Sequence, residues 1–392
     1  MTGADGTSAP AIDNPGVCGV SEEECGMRIE RVEVHPVAIP LSRPYRDSTR
    51  VETHSRDVLV RLVTNEGAEG WGAGAPRSFP TGETQHGLVA VLERVLAGVV
   101  IGNDPFAIEA IHEQMAQAVA GNHAAKAAID IALHDLVGRL LGRPVHDLLG
   151  GRLRESMPTL DILPLDTPER MAETAVELRG TIGTRAFKVK MDADLEVGTR
   201  RVAAIRDAVG VDAMLVVDAN GAWTVKEALD ACRRLEPYGV DVVEQPTPGH
   251  DLDALAEVTR RSVLPVGADE SVVPELIGRL LATRAADVVN VKLTREGGFA
   301  PSRRVAGAAR ILGLGVVCGS VVQSALIDAA CAHFFASTPG IVYNESGKGP
   351  AWHARDVVTG LRVEAGLVYV PTGPGLGVDV DVDAVRALRP VD

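Results

Sequence analysis

The sequence lacks an excess of basic residues. Its 392 residues include 39 lysines and arginines against 53 aspartates and glutamates, which gives a formal net charge of −14. Nucleic acids and anionic membranes bind clustered positive charge, so neither is expected as the main partner. A small anionic substrate stays compatible with this charge, because a site can be positive locally.

Paired cysteines and long apolar runs are also missing. The five cysteines are scattered and include no CxxC pair, so neither a disulfide framework nor a zinc site is expected. No apolar run approaches the roughly 20 residues that span a bilayer. The first residues lack the basic and apolar stretches of a secretory signal. We therefore expect a soluble, cytoplasmic protein.

The length favours one large domain plus a smaller one. Residues 1–26 are rich in Gly, Ser, Ala and acidic residues, which predicts a disordered tail. Alternating apolar and polar residues then predict strands, and helical patterns follow. The predicted elements are strands at 28–35 and 57–64, a strand beginning at Glu69, and helices at 85–99 and 105–118. Antiparallel strands followed by helices indicate an α+β unit.

From about Met157 onward, short apolar strands alternate with amphipathic helices. The predicted strands are 159–163, 185–191, 214–220, 240–245, 264–270, 286–293, 314–320 and 341–344, with helices such as 195–208, 225–235 and 274–283. Repeated strand–helix units form a parallel sheet, and eight such strands can close into a barrel. An open doubly wound sheet is the alternative, but no GxGxxG follows an early strand.

Nearly every predicted barrel strand ends in a charged or amide side chain, where such barrels place their chemistry. Asp218, Glu244 and Asp269 end three consecutive strands at intervals of about one strand–helix unit. Three carboxylates at one barrel mouth repel each other and need a cation, and an all-oxygen set suits Mg²⁺. Each acid alone could instead cap the helix that follows it, but three in register favour a shared metal site.

Two lysines, Lys190 and Lys292, end the second and sixth predicted strands, on either side of the acids. A lysine that acts as a base must be neutral, and a nearby divalent cation and a second ammonium lower its pKa. The metal would stabilise the enediolate that forms when a substrate carboxylate loses its α-proton. Lys188 would help to keep Lys190 deprotonated. A salt bridge to a neighbouring acid is the alternative role for each lysine.

In combination these residues resemble the enolase superfamily, in its muconate-lactonizing subgroup, from Met27 to the end of the chain. The matching stretches are 124–139 with Pro144 and the glycine pair 150–151; 215–220 with 243–246; and Lys188-Val-Lys190 with Lys292 and the glycine pair 297–298. The resemblance implies an α/β fold with a (β/α)7β barrel of the TIM type over residues 151–368. An α+β capping domain would comprise residues 27–150 and be completed by residues 369–392.

The resemblance also implies roles for individual residues. Asp218, Glu244 and Asp269 would bind Mg²⁺, or Mn²⁺ in its place. Lys190 and Lys292 would be acid/base catalysts on opposite faces of a small carboxylate substrate. The supporting residues would be Lys188, Asn220, Glu270 and Gln323. Loops near 44–54 and 78–83 would close over the site, and by analogy the protein would be a homo-oligomer.

Several reactions are compatible with this lysine pair. It serves racemisation or epimerisation of an amino-acid-derived carboxylate, and equally cycloisomerisation or syn elimination. Residues 75–84 resemble the capping loop of dipeptide epimerases. Those enzymes usually carry an Asp-x-Asp pair where this chain has 342–346, and many relatives have Glu in place of Gln323. An N-acylated or N-alkylated amino acid, or another carboxylate without a free amine, is therefore favoured over a free-amine dipeptide. A Schiff-base aldolase using Lys292 and a non-catalytic binding protein are the other classes considered.

Overall fold

The computed structural model describes residues 26–46 and 51–390. The predicted tail, apart from Gly26, lies outside the described residues. None of the helices in the described part of the chain combines the length and apolar character that crossing a membrane requires.

An antiparallel sheet of three strands begins the described chain: β1 (Ile29–Arg46), β2 (Val51–Thr64) and β3 (Glu69–Gly74). The strand predicted at 28–35 is confirmed, but it continues much further, because β2 supplies a pairing partner along its length. Tyr45 still pairs with Glu52. Most of the loop predicted at 44–54 is therefore paired strand, and residues 47–50 lie outside the described range.

Helices follow this sheet, as predicted. They are α1 (Gln85–Val91), a π-helical segment (Leu92–Leu96), α2 (Ala97–Val100), α3 (Ile108–Ala118), α4 (His123–Leu141) and α5 (Val145–Leu148). We call β1–β3 with α1–α5 the N-terminal segment. Helix α4 is buried along almost its whole length, because one side packs on β3 and another faces the barrel.

A parallel barrel forms the larger part of the molecule. After the short β4 (Ser156–Pro158), its eight strands are β5 (Leu160–Leu163), β6 (Ala186–Lys190), β7 (Met214–Asp218), β8 (Val242–Glu244), β9 (Val266–Ala268), β10 (Val288–Val291), β11 (Gly315–Cys318) and β12 (Ile341–Asn344). They are paired in sequence order, and a parallel bridge between Thr159 and Asn344 joins the last strand to the first. The predicted barrel is confirmed, and the open doubly wound sheet was the wrong alternative.

Helices separate these strands. They are α6 (Pro168–Ile182), α7 (Leu195–Val209), α8 (Val225–Leu235), α9 (Leu252–Arg261), α10 (Pro274–Thr283), α11 (Leu293–Glu296), α12 (Phe299–Ile311), α13 (Ala325–Ser337) and the single turn α14 (Gly349–Trp352). Side-chain caps explain several starts: Thr224 and Glu227 form a capping box on α8, and Asp194 caps α7. A 3₁₀ turn, Glu236–Tyr238, extends α8. Because only one turn follows β12, the barrel is of the (β/α)7β type.

The C-terminal part of the chain returns to the N-terminal sheet. Its elements are β13 (Val358–Thr359), β14 (Val363–Glu364), β15 (Leu367–Tyr369), β16 (Asp379–Val380) and α15 (Val382–Ala387). The backbone N–H of Ala38 in β1 donates to the carbonyl of Leu388, at 2.8 Å. The domain boundaries at 150 and 369 stay a prediction.

Close packing of α4 on β3 depends on alternate glycines in the strand. A Cβ added to Gly72 would clash with the carbonyl oxygen of Ala128 in α4. We expect Gly72→Ala to lower the free energy of unfolding by about 1–3 kcal/mol, because backbone cannot yield as a side chain can. The measurement is the urea midpoint followed by circular dichroism. Gly180→Ala in α6, where a Cβ meets nothing within 4 Å, is the matched control and should be neutral or stabilising. Equal midpoints for the two variants would contradict this packing argument.

Candidate active site

The polar side chains predicted at strand ends meet at one mouth of the barrel. In the parallel register, Lys190 pairs with Asp218, and Asp218 pairs with Glu244. Asp269 directly follows β9. All four residues are buried. The structure therefore brings the three predicted carboxylates together at the carboxyl ends of β7, β8 and β9.

The two predicted catalytic lysines stand on opposite sides of these carboxylates. Lys190 Nζ donates to Asp218 Oδ2 at 2.7 Å and to Asn220 Oδ1 at 2.8 Å. Lys292 Nζ donates to Asp269 Oδ2 at 2.6 Å. Lys190 ends β6 and Lys292 follows β10, which lies halfway round the barrel from β6. Both lysines line the same cavity.

Lys188 lies among the carboxylates rather than beside Lys190 alone. Its Nζ donates to Glu244 Oε1 and to Glu345 Oε1, both at 2.6 Å, and lies 3.3 Å from Asp218 Oδ2. Burial lowers the pKa of Lys188, but the charges of Glu244, Glu345 and Asp218 outweigh burial and raise it well above its ordinary value. Lys188 therefore neutralises the buried acids as a charged ammonium.

The pKa of Lys190 shifts in the direction opposite to the sequence-based expectation. Burial lowers this pKa, but the charges of Asp218 and Tyr45, together with the hydrogen bond to Asp218, outweigh burial and raise it above the ordinary value of a lysine. Lys188 does lower the pKa of Lys190, as expected, but by less than Asp218 raises it. The expectation included a divalent cation, whereas the protein groups by themselves favour the ammonium form.

The four predicted supporting residues divide into two groups. Lys188 and Asn220 contact the central residues, and Asn220 Nδ2 also donates to Glu270 Oε1 at 2.9 Å. Burial, together with the charges of Asp269 and Asp218, raises the pKa of Glu270 to about 7. Gln323 is different, because its Nε2 donates to Asp328 Oδ1 at 2.8 Å. The structure brings Lys188, Asn220 and Glu270 to the cavity and leaves Gln323 behind its wall.

The sequence analysis gave no individual role to four residues of this cluster. They are Asn290, Arg295, Tyr343 and Glu345. Asn290 Nδ2 donates to Glu345 Oε2 at 3.2 Å, and Tyr343 Oη donates to Glu244 Oε2 at 3.1 Å. Arg295 Nη1 donates to Asp269 Oδ1 at 2.6 Å. Spacing could have indicated three of them, since Tyr343 and Glu345 are two apart at a strand end and Arg295 lies one helical turn beyond Lys292.

The carboxylates fit a hard divalent cation. Burial raises the pKa of Glu244 well above its ordinary value, and the charges of Glu345, Asp218 and Asp269 raise it further, against Lys188. Crowded, buried, all-oxygen ligands are those that Mg²⁺ accepts. Within residues 26–46 and 51–390, no group of three Asp, Glu, His or Cys side chains is already arranged to hold a metal ion. Lysines instead take the carboxylate oxygens as partners. A cation would therefore replace some of these ammonium contacts.

The N-terminal segment covers the cavity. Tyr45 of β1 and the irregular stretch after β3, including Phe79 and Thr81, line it. The loop predicted at 78–83 therefore lies over the site. Arg77 donates to Glu52 Oε1 at 2.7 Å and to the carbonyl oxygen of Val322 at 2.5 Å. Arg77 thus joins β2, the covering loop and the segment that follows the seventh barrel strand.

Two family descriptions match the chain. Residues 29–150 match the N-terminal domain of the mandelate racemase / muconate lactonizing enzyme family. Residues 170–385 match the enolase C-terminal domain-like family.

Individual relatives match over nearly their whole length. N-succinyl-L-Arg/Lys racemase of Bacillus cereus is 31% identical over 92% of this chain and 98% of its own, and its crystal structure superposes with a TM-score of 0.89. Muconate cycloisomerase 1 of Rhodococcus opacus is 36% identical, covering 92% of this chain and 98% of its own. A dipeptide epimerase from Enterococcus faecalis, solved with Mg and the dipeptide L-Leu-L-Tyr, is 33% identical with a TM-score of 0.85, covering 90% of this chain and 99% of its own.

The acid cluster predicts how Mg²⁺ binding responds to substitution. Glu244→Gln should weaken Mg²⁺ binding by at least about 100-fold, because even groups that only support metal ligands contribute about 10–100-fold. Asp241→Asn is the matched control, since Asp241 lies at the opposite end of β8 and accepts from the N–H of Leu215 at 2.8 Å. Isothermal titration calorimetry measures both, with circular dichroism to verify folding. Unchanged affinity in Glu244→Gln would remove this residue from the ligand set.

Proposed function

The chain belongs to the mandelate racemase / muconate lactonizing enzyme family of the enolase superfamily, and from this we propose that it is a Mg²⁺-dependent racemase or epimerase. Its substrate would be an amino-acid-derived carboxylate with a proton on the adjacent carbon. One observation carries the proposal: Lys190 and Lys292 line one cavity from opposite sides of a row of buried carboxylates.

The two lysines supply the proton transfers. One neutral lysine takes the α-proton: the Cα–H bond breaks, an N–H bond forms, and the electron pair moves into the substrate carboxylate. The other lysine, as an ammonium, gives its proton to the opposite face of Cα. Exchanging the two roles converts the other stereoisomer. A lysine on each face is therefore what inversion at Cα requires.

The carboxylates would hold the cofactor. Asp218, Glu244 and Asp269 would bind Mg²⁺, and Mn²⁺ would suit the same oxygen ligands. When bound, the ion offsets the negative charge that develops on the substrate carboxylate. Lys188 would neutralise the two glutamates that it contacts, Glu244 and Glu345. Asn220 and Glu270 would support Lys190 from within the cavity. Gln323 would support the site only indirectly, because it lies behind the cavity wall and is bonded to Asp328.

The substrate would be N-acylated or N-alkylated rather than a free-amine dipeptide. Dipeptide epimerases usually hold the substrate ammonium with an Asp-x-Asp pair near the eighth strand, where this chain has Asn344, Glu345 and Ser346. Glu345 is already bonded to Lys188 and Asn290. Asn344 Oδ1 accepts from Ser346 Oγ at 2.7 Å, so these two polar side chains satisfy each other. The N-succinyl substrate in the name of the Bacillus cereus relative agrees with this choice.

A second candidate is cycloisomerisation, with syn elimination as a related outcome. The 36% identity to a muconate cycloisomerase favours it, and the same cavity and lysines would serve. One lysine would then act mainly through its charge. An aldolase that forms a Schiff base on Lys292 would leave the three buried acids, Asp218, Glu244 and Asp269, without a purpose. Cytoplasmic location and a homo-oligomeric state stay predictions from the sequence.

Substituting each lysine separately tests the proton transfers. With Mg²⁺ in D₂O, the wild-type protein should incorporate deuterium at Cα of both stereoisomers of a substrate, with inversion. Lys190→Ala should lower exchange from one stereoisomer, and Lys292→Ala should lower exchange from the other. Each loss should be about 100- to 10,000-fold, the usual contribution of a positioned acid or base. Proton NMR follows the exchange. If one lysine could be removed without any effect on either stereoisomer, the two-base assignment would be wrong.

A substrate panel tests the specificity. N-succinyl and N-acetyl amino acids should have kcat/KM values about 10- to 100-fold above those of unblocked dipeptides, because an unpaired buried polar group costs about 1–3 kcal/mol. cis,cis-Muconate in the same panel tests the second candidate. Turnover of unblocked dipeptides alone would overturn the N-acyl assignment, and lactone formation alone would favour cycloisomerisation.

A further inference from the structure

Helix α4 carries a fully buried acid, Asp130, that reaches across to the barrel. Its Oδ1 accepts from the backbone N–H of Phe299 at 2.5 Å, and its Oδ2 lies 3.4 Å from the nitrogen of Ala300. These are the first two residues of α12, and the N-cap position of this helix is Gly298, which has no side chain to offer. Asp130 therefore supplies, from the N-terminal segment, the acceptor that α12 needs at its start.

Two histidines hold Asp130 in place. His112 Nε2 lies 2.5 Å from Asp130 Oδ2, and His134 Nδ1 lies 2.8 Å from the backbone carbonyl oxygen of Asp130 and 3.4 Å from its Oδ1. The His134 ring also packs on the ring of Phe299, with centroids 4.9 Å apart. Burial raises the pKa of Asp130, but His134 and His112 outweigh burial and lower it, so the carboxylate is ionised. A Cβ on Gly298 would clash with Asp130.

The residues between Lys292 and Phe299 form one tightly bonded turn. The N–H groups of Arg295 and Glu296 donate to the carbonyl of Lys292, at 2.9 and 3.0 Å. Those of Gly297 and Gly298 donate to the carbonyl of Leu293, at 3.1 and 2.7 Å. Strand β10 fixes one end of this turn, and Asp130 fixes the other. A displacement of Phe299 would therefore be transmitted to Lys292.

The segment after Lys190 is held differently. Met191 N–H donates to the carbonyl of Asp218 at 2.9 Å, so the neighbouring barrel strand fixes it. Trp223 Nε1 then donates to the carbonyl of Asp192 at 3.0 Å. The two lysines thus depend on different supports, one from α4 and one from the barrel itself.

We propose that Asp130, held by His112 and His134, is a positioning residue for Lys292 and not for Lys190. The consequence is an asymmetry between the two faces of the substrate: α4 sets the position of one amine alone. The inference rests on the proposed function only for the catalytic role of Lys292.

The first experiment compares the two stereoisomers in Asp130→Asn. With Mg²⁺ in D₂O and the N-acyl amino acid that the panel selects, exchange from the stereoisomer that Lys292→Ala impairs should fall about 10- to 100-fold, which is what a small misplacement of a reacting group costs. Exchange from the other stereoisomer should stay within about twofold of wild type. In Asp130→Asn/Lys292→Ala the remaining exchange should match that of Lys292→Ala alone. Equal loss for both stereoisomers, or no loss for either, would overturn the proposal.

Asp135→Asn is the matched control. Asp135 is equally buried on the same helix and also accepts from two backbone N–H groups, those of Trp71 at 2.8 Å and Leu376 at 2.7 Å. Neither group belongs to the Lys292 turn. This variant should lower the melting temperature, but the ratio of the exchange rates of the two stereoisomers should stay as in the wild type. His112→Gln removes the ring contact to Asp130 Oδ2 without changing the Lys292 turn, and it should lower exchange from the same stereoisomer, which keeps the test available if Asp130→Asn does not fold.

A second measurement needs no substrate. Amide hydrogen exchange read by mass spectrometry should accelerate in Asp130→Asn for peptides covering residues 293–300 and stay unchanged for peptides covering 186–196. If no carboxylate of the panel exchanges with the wild-type protein, the proposed function fails, and this comparison still decides the positioning role. Unchanged exchange at 293–300, or equal acceleration at 186–196, would overturn it.

Discussion

Buried charge at the barrel mouth is the constraint on which this structure depends. Asp218, Glu244, Asp269 and Glu345 are all removed from water, and a buried carboxylate without a partner costs several kcal/mol. Lysines from the second and sixth barrel strands meet that demand, with Lys188 bonded to two of the acids at 2.6 Å. The side chains that would carry the chemistry are therefore also those that make the mouth of the barrel stable. Neither the acids nor the lysines can be replaced without leaving the other group unpaired.

The N-terminal segment acts on this mouth from two directions. From above, Arg77 joins the covering loop to Glu52 and to the carbonyl of Val322, so the loop that faces the substrate is tied to the barrel. From the side, α4 passes between β3 and the barrel, and its Asp130 caps α12. The alternate glycines of β3 permit this arrangement because they let the strand approach the α4 backbone. The N-terminal segment thus contributes none of the carboxylates Asp218, Glu244 and Asp269, yet it determines how they are enclosed.

Local patterns made much of this structure predictable. The strand–helix repeat is written in short apolar runs and helical periodicity, so all eight barrel strands and helices such as α8 and α10 fall where the sequence indicates. The end of each strand follows from the same pattern, which placed Asp218, Glu244 and Asp269 at one level. Gln323 shows the limit, because a residue near a strand end can turn into the wall, where Asp328 on the following helix takes its amide. The length of β1 shows another, since a strand continues as long as a partner is present.

The sequence by itself determined the repeating barrel, the row of strand-end carboxylates and the two lysines that flank it, because strand ends and their spacing are properties of neighbouring residues. The tertiary structure alone decided which charges meet. Lys188 and Glu345 are 157 residues apart and come together because the bridge between Thr159 and Asn344 joins the eighth strand to the first. It also decided that Asp218 raises the pKa of Lys190 and that Asp130 reaches Phe299. Electrostatic and hydrogen-bonding partners follow from distance in space, which the closed barrel sets for the first pair and the packing of α4 against the barrel sets for the second.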